Sequence, residues 1–425
     1  MPDDPRPDFT PDWPTCVEEG CRGIQVDDEF CLLHAVDGGE KFLAGLHPGA
    51  DLDLRGTVLT DELFRRIVER FSAQDGWSSY GTVSFSRVWF TGDAGFGLAV
   101  FKGYARFDSA CFSGSARFLN VDFEDGVNFG QARFGAADLR IKTAGTAHFL
   151  LAQFAERAVL TVEAARIELQ EVLLHKGLVL RMFGGELDAT GAVFGEPSSI
   201  TNLERLRSPA EVVSLRDVDV QGLVMTDVSL RRCTFAGARG LDQLRLDGNC
   251  RFERSRPRWW LTRREMLAEE VALRGWSDQP PGEYLGPARV GGQYRSLRKS
   301  FEDSKNEAGA GDFYYGEMEM RRHSAETSKA EKAILWFYWL FSGYGQRASR
   351  ALAALFLVVA TVTTLLTVWG QDFGLAARLA IGAVVFRADD TDLTAAGEWT
   401  VLIARFLGPV LLALAVLAVR ARVKR

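Results

Sequence analysis

The sequence predicts a mainly β protein: a solenoid of short coils, followed by a helical hairpin and two membrane-spanning helices. Three observations carry this. Phenylalanine recurs at steps of five and six through the middle of the chain, two long apolar runs lie near its C-terminal end, and Cys16, Cys21 and Cys31 crowd together near its N-terminal end. The 425 residues allow two to four units at about 100–200 residues per domain. Charged residues at 25% and hydrophobic residues at 47% are ordinary globular values and exclude a mostly disordered chain. A net charge of −6 argues against a general nucleic-acid binder, which would carry a basic stripe. The unusual numbers are 29 Phe and 42 Gly, and spacing explains the Phe.

The ladder begins at Phe85 and runs through Phe90, Phe96, Phe101, Phe107, Phe112, Phe118, Phe123, Phe129 and Phe134. The residue two before each is small or β-branched, as at Ala99, Ala105 and Val121. Leu139, Phe149, Phe154 and Leu160 continue the pattern. A second stretch, Leu215, Val220, Met225, Leu230 and Phe235, keeps a step of five, and Leu241, Leu246 and Phe252 extend it. An α-helix needs apolar residues at steps of three and four, and a flat strand at steps of two. A step of five with a local i−2/i pair fits a coil whose sides are each about five residues long, a fixed short period that marks a solenoid. Stacked coils pair their main chains and bury a column of Phe and Leu. These residues are therefore expected to be core, and none is a candidate for chemistry. Leu203 to Ala210 breaks the pattern and reads as a loop.

Runs such as Ala105-Arg106-Phe107, Ala110-Cys111-Phe112 and Ala116-Arg117-Phe118 resemble the pentapeptide-repeat family. The resemblance covers residues 80–255, with a weaker patch over 161–212, and implies a right-handed quadrilateral β-helix. The alternating step resembles the variant with a Gly inserted in every second repeat, as at Gly103 and Gly114. At about 20–22 residues per coil, as the family implies, and about 4.8 Å between coils, the span gives about eight coils over about 35–40 Å. The stretch YRSLRKSFEDSKNEAGAGDFYYGEMEMRR from Tyr294, the Ser342-Gly343-Tyr344-Gly345 turn and the closing LGPVLLALAVLAVRARVKR are similar to segments of membrane-attached bacterial members with a C-terminal two-span module. Their layout implies a cytosolic rod anchored in the membrane.

Ala351 to Trp369 is uncharged over 19 residues, enough to cross about 30 Å of hydrocarbon. A second run, Trp399 to Val419, is interrupted only by Arg405. Arg347 and Arg350 precede the first run, and Arg420, Arg422, Lys424 and Arg425 follow the second. The connecting loop is acidic, so the positive-inside rule places both termini in the cytoplasm of a two-span cell-membrane protein. Met1 to Asp12 lacks the features of a signal peptide, which agrees. Trp336 to Phe341 suits a helix at headgroup level. Leu375 to Phe386, too short to span, is expected to be re-entrant or interfacial. Simple cation channels share this layout, but the position of their TVGYG-like filter reads Phe386-Arg387-Ala388-Asp389-Asp390 here. Gly408-Pro409 is expected to kink the second span, and Thr361, Thr364 and Thr367 suggest helix packing within or between copies.

Between solenoid and membrane, Arg256, Arg258, Arg263 and Arg264 surround Trp259 and Trp260. A helix is expected over Glu265 to Arg274. Pro280, Pro281 and Gly282 break it, and a hairpin of Tyr294–Asn306 and Phe313–Arg322 follows, with Gly309 and Gly311 as stops and Asp312 as the N-cap. Glu317, Glu319, Arg321, Arg322 and His323 read as a solvated helix face.

Cys16-x4-Cys21-x9-Cys31-x2-His34 supplies three thiolates and an imidazole, the donor set of a structural zinc site. A segment this short cannot bury a core alone, so a metal would replace one. Cys111, Cys233 and Cys250 are scattered where a small buried residue would do. Leu63 to Phe71 is expected as an amphipathic helix capping the solenoid. The resulting organisation is a zinc knuckle over 1–45, a helical cap over 46–79, the β-helix over 80–255, a helical juxtamembrane region over 256–345 and the membrane module over 346–425.

No catalytic motif stands out: none of the five His sits in a hydrolytic motif, and Gly95-Phe96-Gly97 lacks the third glycine of a phosphate loop. No enzymatic activity is expected. Three functions remain. The first is a membrane-anchored scaffold for a cytosolic protein partner, the second a channel-like or gating subunit that oligomerises through its spans, and the third a nucleic-acid mimic. Residues 80–160 carry seven acidic and eight basic side chains, a near balance that disfavours mimicry and nucleic-acid binding alike.

Overall fold

The computed structural model describes residues 6, 8–27, 29–73, 76–203, 209–255, 263–276, 285–387 and 393–423. The chain forms two compact units, residues 1–285 with 299–304, and residues 286–298 with 305–425.

The first unit is built on a parallel β-solenoid of about eight turns. One sheet of eight strands runs through Leu52–Asp53, Val83–Ser84, Ala105–Arg106, Val127–Asn128, Thr146–His148, Arg166–Glu168, Glu186–Asp188 and Glu211–Ser214. A second sheet of 15 strands carries the rest of the ladder. Two coil lengths follow one another along the axis. Val83 pairs with Ala105 and Ala105 with Val127, the longer step. Val127–Ala147, Ala147–Ile167 and Ile167–Leu187 take the shorter one. The long coils hold the inserted glycines, and space rather than torsion demands them. A Cβ on Gly103 would come within 2.4 Å of Thr82, and one on Gly114 within 2.5 Å of Gly92. Non-glycine residues take the left-handed corners: Arg87, Ser109, Gln131, Leu151 and Glu171 all have φ between 54° and 59°.

The stretch of weak repeats belongs to the same solenoid. The register runs Leu139–Leu160–Leu180–Ile200–Met225–Leu246 without a break. Aliphatic residues simply replace Phe in the column. The pairs Leu187–Val212 and Ile200–Met225 stand further apart in sequence than their neighbours. They bracket residues 204–208 of the expected loop, which lie outside the described residues.

The interior is not one pillar of rings but one column per side of the coil. Phe85, Phe107, Phe129 and Phe149 stack at 5.1–5.2 Å, and Phe90, Phe112, Phe134 and Phe154 at 4.6–4.9 Å. Phe96 stacks on Phe118 at 4.7 Å, and Phe101 on Phe123 at 4.8 Å. The columns meet edge to face, as Phe107 does with Phe118 at 5.3 Å and 87°. Offset stacking along the axis and T-shaped contacts across it both suit the ring quadrupole.

Both ends of the columns are covered. Helix α1 (Glu40–Ala44) precedes the first coil, and helix α2 (Asp61–Phe71) is inserted into it, which is why Leu52 has to reach past a whole helix to pair with Val83. Thr60 caps α2 by accepting from the Leu63 N–H. Its buried Phe64 packs on Phe90 and Phe96, and its Phe71 stacks on Tyr80 at 4.4 Å. The expected capping helix is therefore present, with the ladder extending back to Leu52 beneath it. At the other end, Glu265–Met266 is not helical. It pairs as an antiparallel strand with Glu253–Arg254, and a short helix α3 (Ala268–Leu273) follows. Glu269 accepts the Phe235 N–H, and the buried Glu270 is gripped by Arg264 at 2.5 Å and Arg274 at 2.6 Å. The strand gives Ser255 and Arg264 a backbone pairing that sequence periodicity does not encode. Arg256, Arg258, Trp259, Trp260, Pro280, Pro281 and Gly282 lie outside the described residues.

The second unit is helical. Helix α4 (Pro287–Asp303) contributes its first part here, followed by α5 (Glu307–His323) and α6 (Lys329–Ser342). The hairpin is as expected, but its turn is not. Asn306 is the N-cap of α5 and accepts from the Gly309 N–H at 3.0 Å. Gly309, Gly311 and Asp312 lie inside the helix, and Gly311 leaves room for Gln346, whose Oε1 would be 2.7 Å from a Cβ. Helices α7 (Ala348–Val368) and α9 (Ala395–Val423) are long and apolar enough to cross a membrane. Between them lies α8 (Phe373–Val384), packed on both through Leu366, Leu379, Ala383 and Ala404. A Cβ on Gly408 would come within 2.9 Å of Val384 Cα, so this glycine sets the approach of α9 to α8. Arg405 reaches the carbonyl of Arg387 at 3.4 Å. Ala388, Asp389 and Asp390, and the side chains of residues 420–425, lie outside the described residues.

Replacing Phe118 by Ala opens a cavity where three columns meet. The expected cost is about 3–5 kcal/mol, seen as a lower urea midpoint at unchanged m. The exposed Lys142→Ala control should stay within about 0.5 kcal/mol.

Candidate metal centre

The four residues singled out by spacing converge. Donor atoms of Cys16, Cys21, Cys31 and His34 all lie within 4.8 Å of one another. His34 Nδ1 is 3.4 Å from Cys16 Sγ and 3.6 Å from Cys31 Sγ, and Cys21 and Cys31 sulfurs are 3.7 Å apart. Metal–sulfur bonds of about 2.3 Å and metal–nitrogen bonds of about 2.0–2.1 Å, set tetrahedrally, give edges of about 3.8 Å between sulfurs and about 3.6 Å from sulfur to nitrogen. Three of the donor pairs thus stand close to the separations of a four-coordinate site.

Two turns and a bridge bring the ligands together. Thr15 and Ile24 pair antiparallel, with the Cys16 N–H bonded to the Gly23 carbonyl at 2.9 Å. Gly20 turns the chain at φ 77°, and the Cys21 N–H closes onto the Glu18 carbonyl at 3.0 Å. On the other side, His34 N–H bonds the Cys31 carbonyl at 3.0 Å, which puts ligands three apart on one face of a turn. Gly23 is required by space, since a Cβ there would come within 2.9 Å of Cys31 Cβ.

The thiols are not equivalent. The hydrogen bond from Cys31 holds the Cys21 thiol down to about 5 against the opposing effect of burial, helped by the Gly23 N–H and the His34 ring. Cys31 is pushed well up by that same bond and by burial, while the His34 and Leu33 amides oppose the rise. Amides aimed at sulfur are the supporting groups that orient and charge thiolate ligands. The remaining cysteines behave as small core residues. Cys111 and Cys233 are buried, and burial pushes the Cys233 thiol up and the Cys250 thiol up to about 11.

Aromatic and basic residues tie this knuckle to the solenoid, a feature that spacing alone did not reveal. Arg22 and Arg87 lie over the Phe9 ring at 5.0 and 4.3 Å, and Arg55 over Trp13 at 5.1 Å. Trp13 Nε1 donates to the Arg22 carbonyl, and the Ile24 N–H donates to the Arg55 carbonyl. The buried Arg6 donates to the carbonyls of Gly56 and Arg87.

Of the charged residues expected on a solvated face of α5, Arg321 and His323 are exposed, but the two carboxylates are not. Glu317 and Glu319 are only 5% and 4% exposed. Glu317 accepts from Arg295 at 2.9 Å and Arg298 at 2.7 Å on α4. Glu319 accepts from Arg322 at 3.0 Å and from the Tyr344 hydroxyl at 2.9 Å. Arg322 also lies over Trp339, whose Nε1 donates to Tyr315 at 2.9 Å. His323 Nδ1 is 2.7 Å from the Glu319 carbonyl. Each carboxylate is occupied by a cation, the arrangement of a structural joint. The Ser342–Gly345 segment is the expected turn, with left-handed torsions at Gly343, Tyr344 and Gly345.

Residues 96–140 match a protein-family model described as pentapeptide repeats (9 copies). Neither a curated protein nor a solved structure matches the chain. The matched segment lies in the Phe-rich part of the solenoid, where each coil presents four rings inward.

Gly23→Val drives a side chain into Cys31. The expected outcome is a loss of about 1–3 kcal/mol and faster labelling of the knuckle thiols by a maleimide probe. The buried Cys233 should label no faster than before.

Proposed function

We propose that this chain is a membrane-anchored scaffold, whose pentapeptide-repeat solenoid holds a protein partner at the inner face of the cell membrane. One observation carries the membrane part. Only 22% of the most apolar window of α7 and 33% of that of α9 is buried, although both are long enough to span. A core helix of a soluble protein would be covered. These helices instead turn Phe356 (75% exposed), Leu357, Phe406 and Val410 outward. Exposed apolar surface of this extent needs a nonaqueous neighbour. Trp336, Phe337 and Leu340 on α6 are exposed as well, and suit the interfacial depth. Arginines flanking both helices favour cytoplasmic termini. The exposed Thr361, Thr364 and Thr367 on α7 suit contact with a second copy.

The scaffold reading rests on the solenoid. Its interior is filled with side chains, and its outward residues pair with each other along one face. His148 meets Glu168 at 2.6 Å, Arg166 reaches Glu168, Glu186 and Asp188, and Arg232 bridges Glu186 and Glu211. Such a self-satisfied face suits docking of protein better than catalysis or imitation of a polyanion. The knuckle takes structural zinc through Cys16, Cys21, Cys31 and His34. Four protein ligands leave no open position for chemistry. The packing of α8 between α7 and α9 is the one feature that favours the channel-like reading.

Cell fractionation should recover the full chain with membranes, and a chain ending before Ala330 should be soluble. Recovery of the full chain in the soluble fraction would overturn the anchor. The purified chain should contain about one zinc, and the Cys31→Ser and His34→Ala variants close to none. Ion flux in reconstituted vesicles should match protein-free vesicles, and a protein-dependent current would favour the channel reading instead.

A further inference from the structure

Between Asp8 and Lys41 the sequence holds nine acidic residues against Arg22 and Lys41, a net charge of −7 in a chain whose total is −6. The knuckle therefore carries more than the whole net charge of the protein. It also carries an open cleft of about 970 Å³, walled by the segment between Cys21 and Cys31 and by the segment that follows His34. Phe30, Val36 and Phe42 line it, and Val36 is 89% exposed. Asp27, Glu29 and Asp37 stand at its rim with one cation, Lys41.

Two of the three carboxylates, Asp27 and Asp37, are fixed in place by the backbone. Asp27 accepts from the Glu29 and Phe30 amides at 3.1 and 2.7 Å. Asp37 accepts from the Gly39 and Lys41 amides at 2.8 Å each, which holds its carboxyl below the usual range. Charges held this way lose little freedom when a partner arrives. Apolar side chains set beside an excess of carboxylates disfavour anionic surfaces and favour a cationic segment with apolar anchors.

We propose that this cleft docks a cationic amphipathic segment of a partner protein, apolar side chains entering between Phe30, Val36 and Phe42 and Lys or Arg meeting the acidic rim. The proposal rests on the scaffold reading and adds the docking surface and the chemistry of the partner. Its test does not depend on membrane anchoring, so the two can fail separately.

The probe is a fluorescent amphipathic Leu/Lys peptide, titrated into the detergent-purified, zinc-loaded full chain and read by anisotropy. Controls are a Gln/Lys peptide of equal charge and a Leu/Glu peptide. Expected is binding of Leu/Lys at least about tenfold tighter than either control, weakening as salt rises. Val36→Lys and Glu29→Lys should each weaken it about tenfold. Val17→Lys, which makes the charge change of Val36→Lys on an exposed residue that does not line the cleft, should change it less than about threefold. Unchanged zinc content keeps the comparison among folded proteins. Equal binding of Leu/Lys and Gln/Lys would overturn the proposal. So would equal losses in Val36→Lys and Val17→Lys, because only unspecific charge attraction would then remain.

Discussion

The coil-on-coil hydrogen bond is the constraint on which the first unit depends. Each coil must place its amides and carbonyls under those of the next, so every inward side chain lands on its counterpart one coil away. Phe90 meets Phe112 at 4.7 Å because their strands pair in register, not because the rings seek each other. The same rule explains the glycines of the long coils. Main chains in register come too close at Gly103 and Gly114 for a Cβ to fit. It also explains why the solenoid tolerates two coil lengths. The longer step from Ala105 to Val127 and the shorter one from Ala147 to Ile167 return to the same side, provided neighbouring coils agree.

The ladder was legible because a coil with four sides prints its geometry directly into the spacing of Phe. Where Leu, Ile and Met take over, the geometry persists but the spacing loses its marker, since aliphatic residues also abound elsewhere. The first coil was harder still. Leu52 and Val58 belong to the ladder, but α2 interrupts their coil, so their partners Val83 and Trp89 lie well beyond one ordinary coil length. The break at residues 204–208 was visible for the opposite reason, because a short insertion shifts the pattern while leaving both sides recognisable.

The four residues of the candidate metal centre were legible as residue types at short spacing, and the turns at Gly20 and Gly23 show why those spacings bring them together. Four donors within 18 positions of each other need little more than two turns to meet. What holds the knuckle on the solenoid was not legible. Arg55 and Arg87 reach Trp13 and Phe9 from distant parts of the chain, and no local pattern marks a cation–aromatic pair at such separation. The knuckle can therefore be read from the sequence as a module, while its attachment is a property of the fold.

The second unit shows where local reading misleads. Glu317 and Glu319 sit among Arg321, Arg322 and His323, and helix periodicity alone matches them with one another at the surface. The fold instead draws their cations and donors largely from elsewhere: Arg295 and Arg298 from α4, Tyr344 from the turn before α7. Burying a carboxylate costs several kcal/mol unless charge and hydrogen bonds answer it, so these contacts must form together or not at all. The Gly343–Gly345 turn needs left-handed torsions to aim Tyr344 back at Glu319, and Arg350 then lies over Trp339 at 5.3 Å. Tyr344 is buried, and that burial with the Glu319 charge pushes its hydroxyl up, so it stays a neutral donor at every physiological pH. The joint between α5 and the first apolar helix is thus fixed by directional polar contacts, whereas α7, α8 and α9 meet through small and aliphatic side chains such as Ala380, Ala404 and Gly408. Polar contacts specify one geometry where water can still compete. Close packing of small residues does so between helices as apolar as α7 and α9, where apolar burial alone does not discriminate between arrangements.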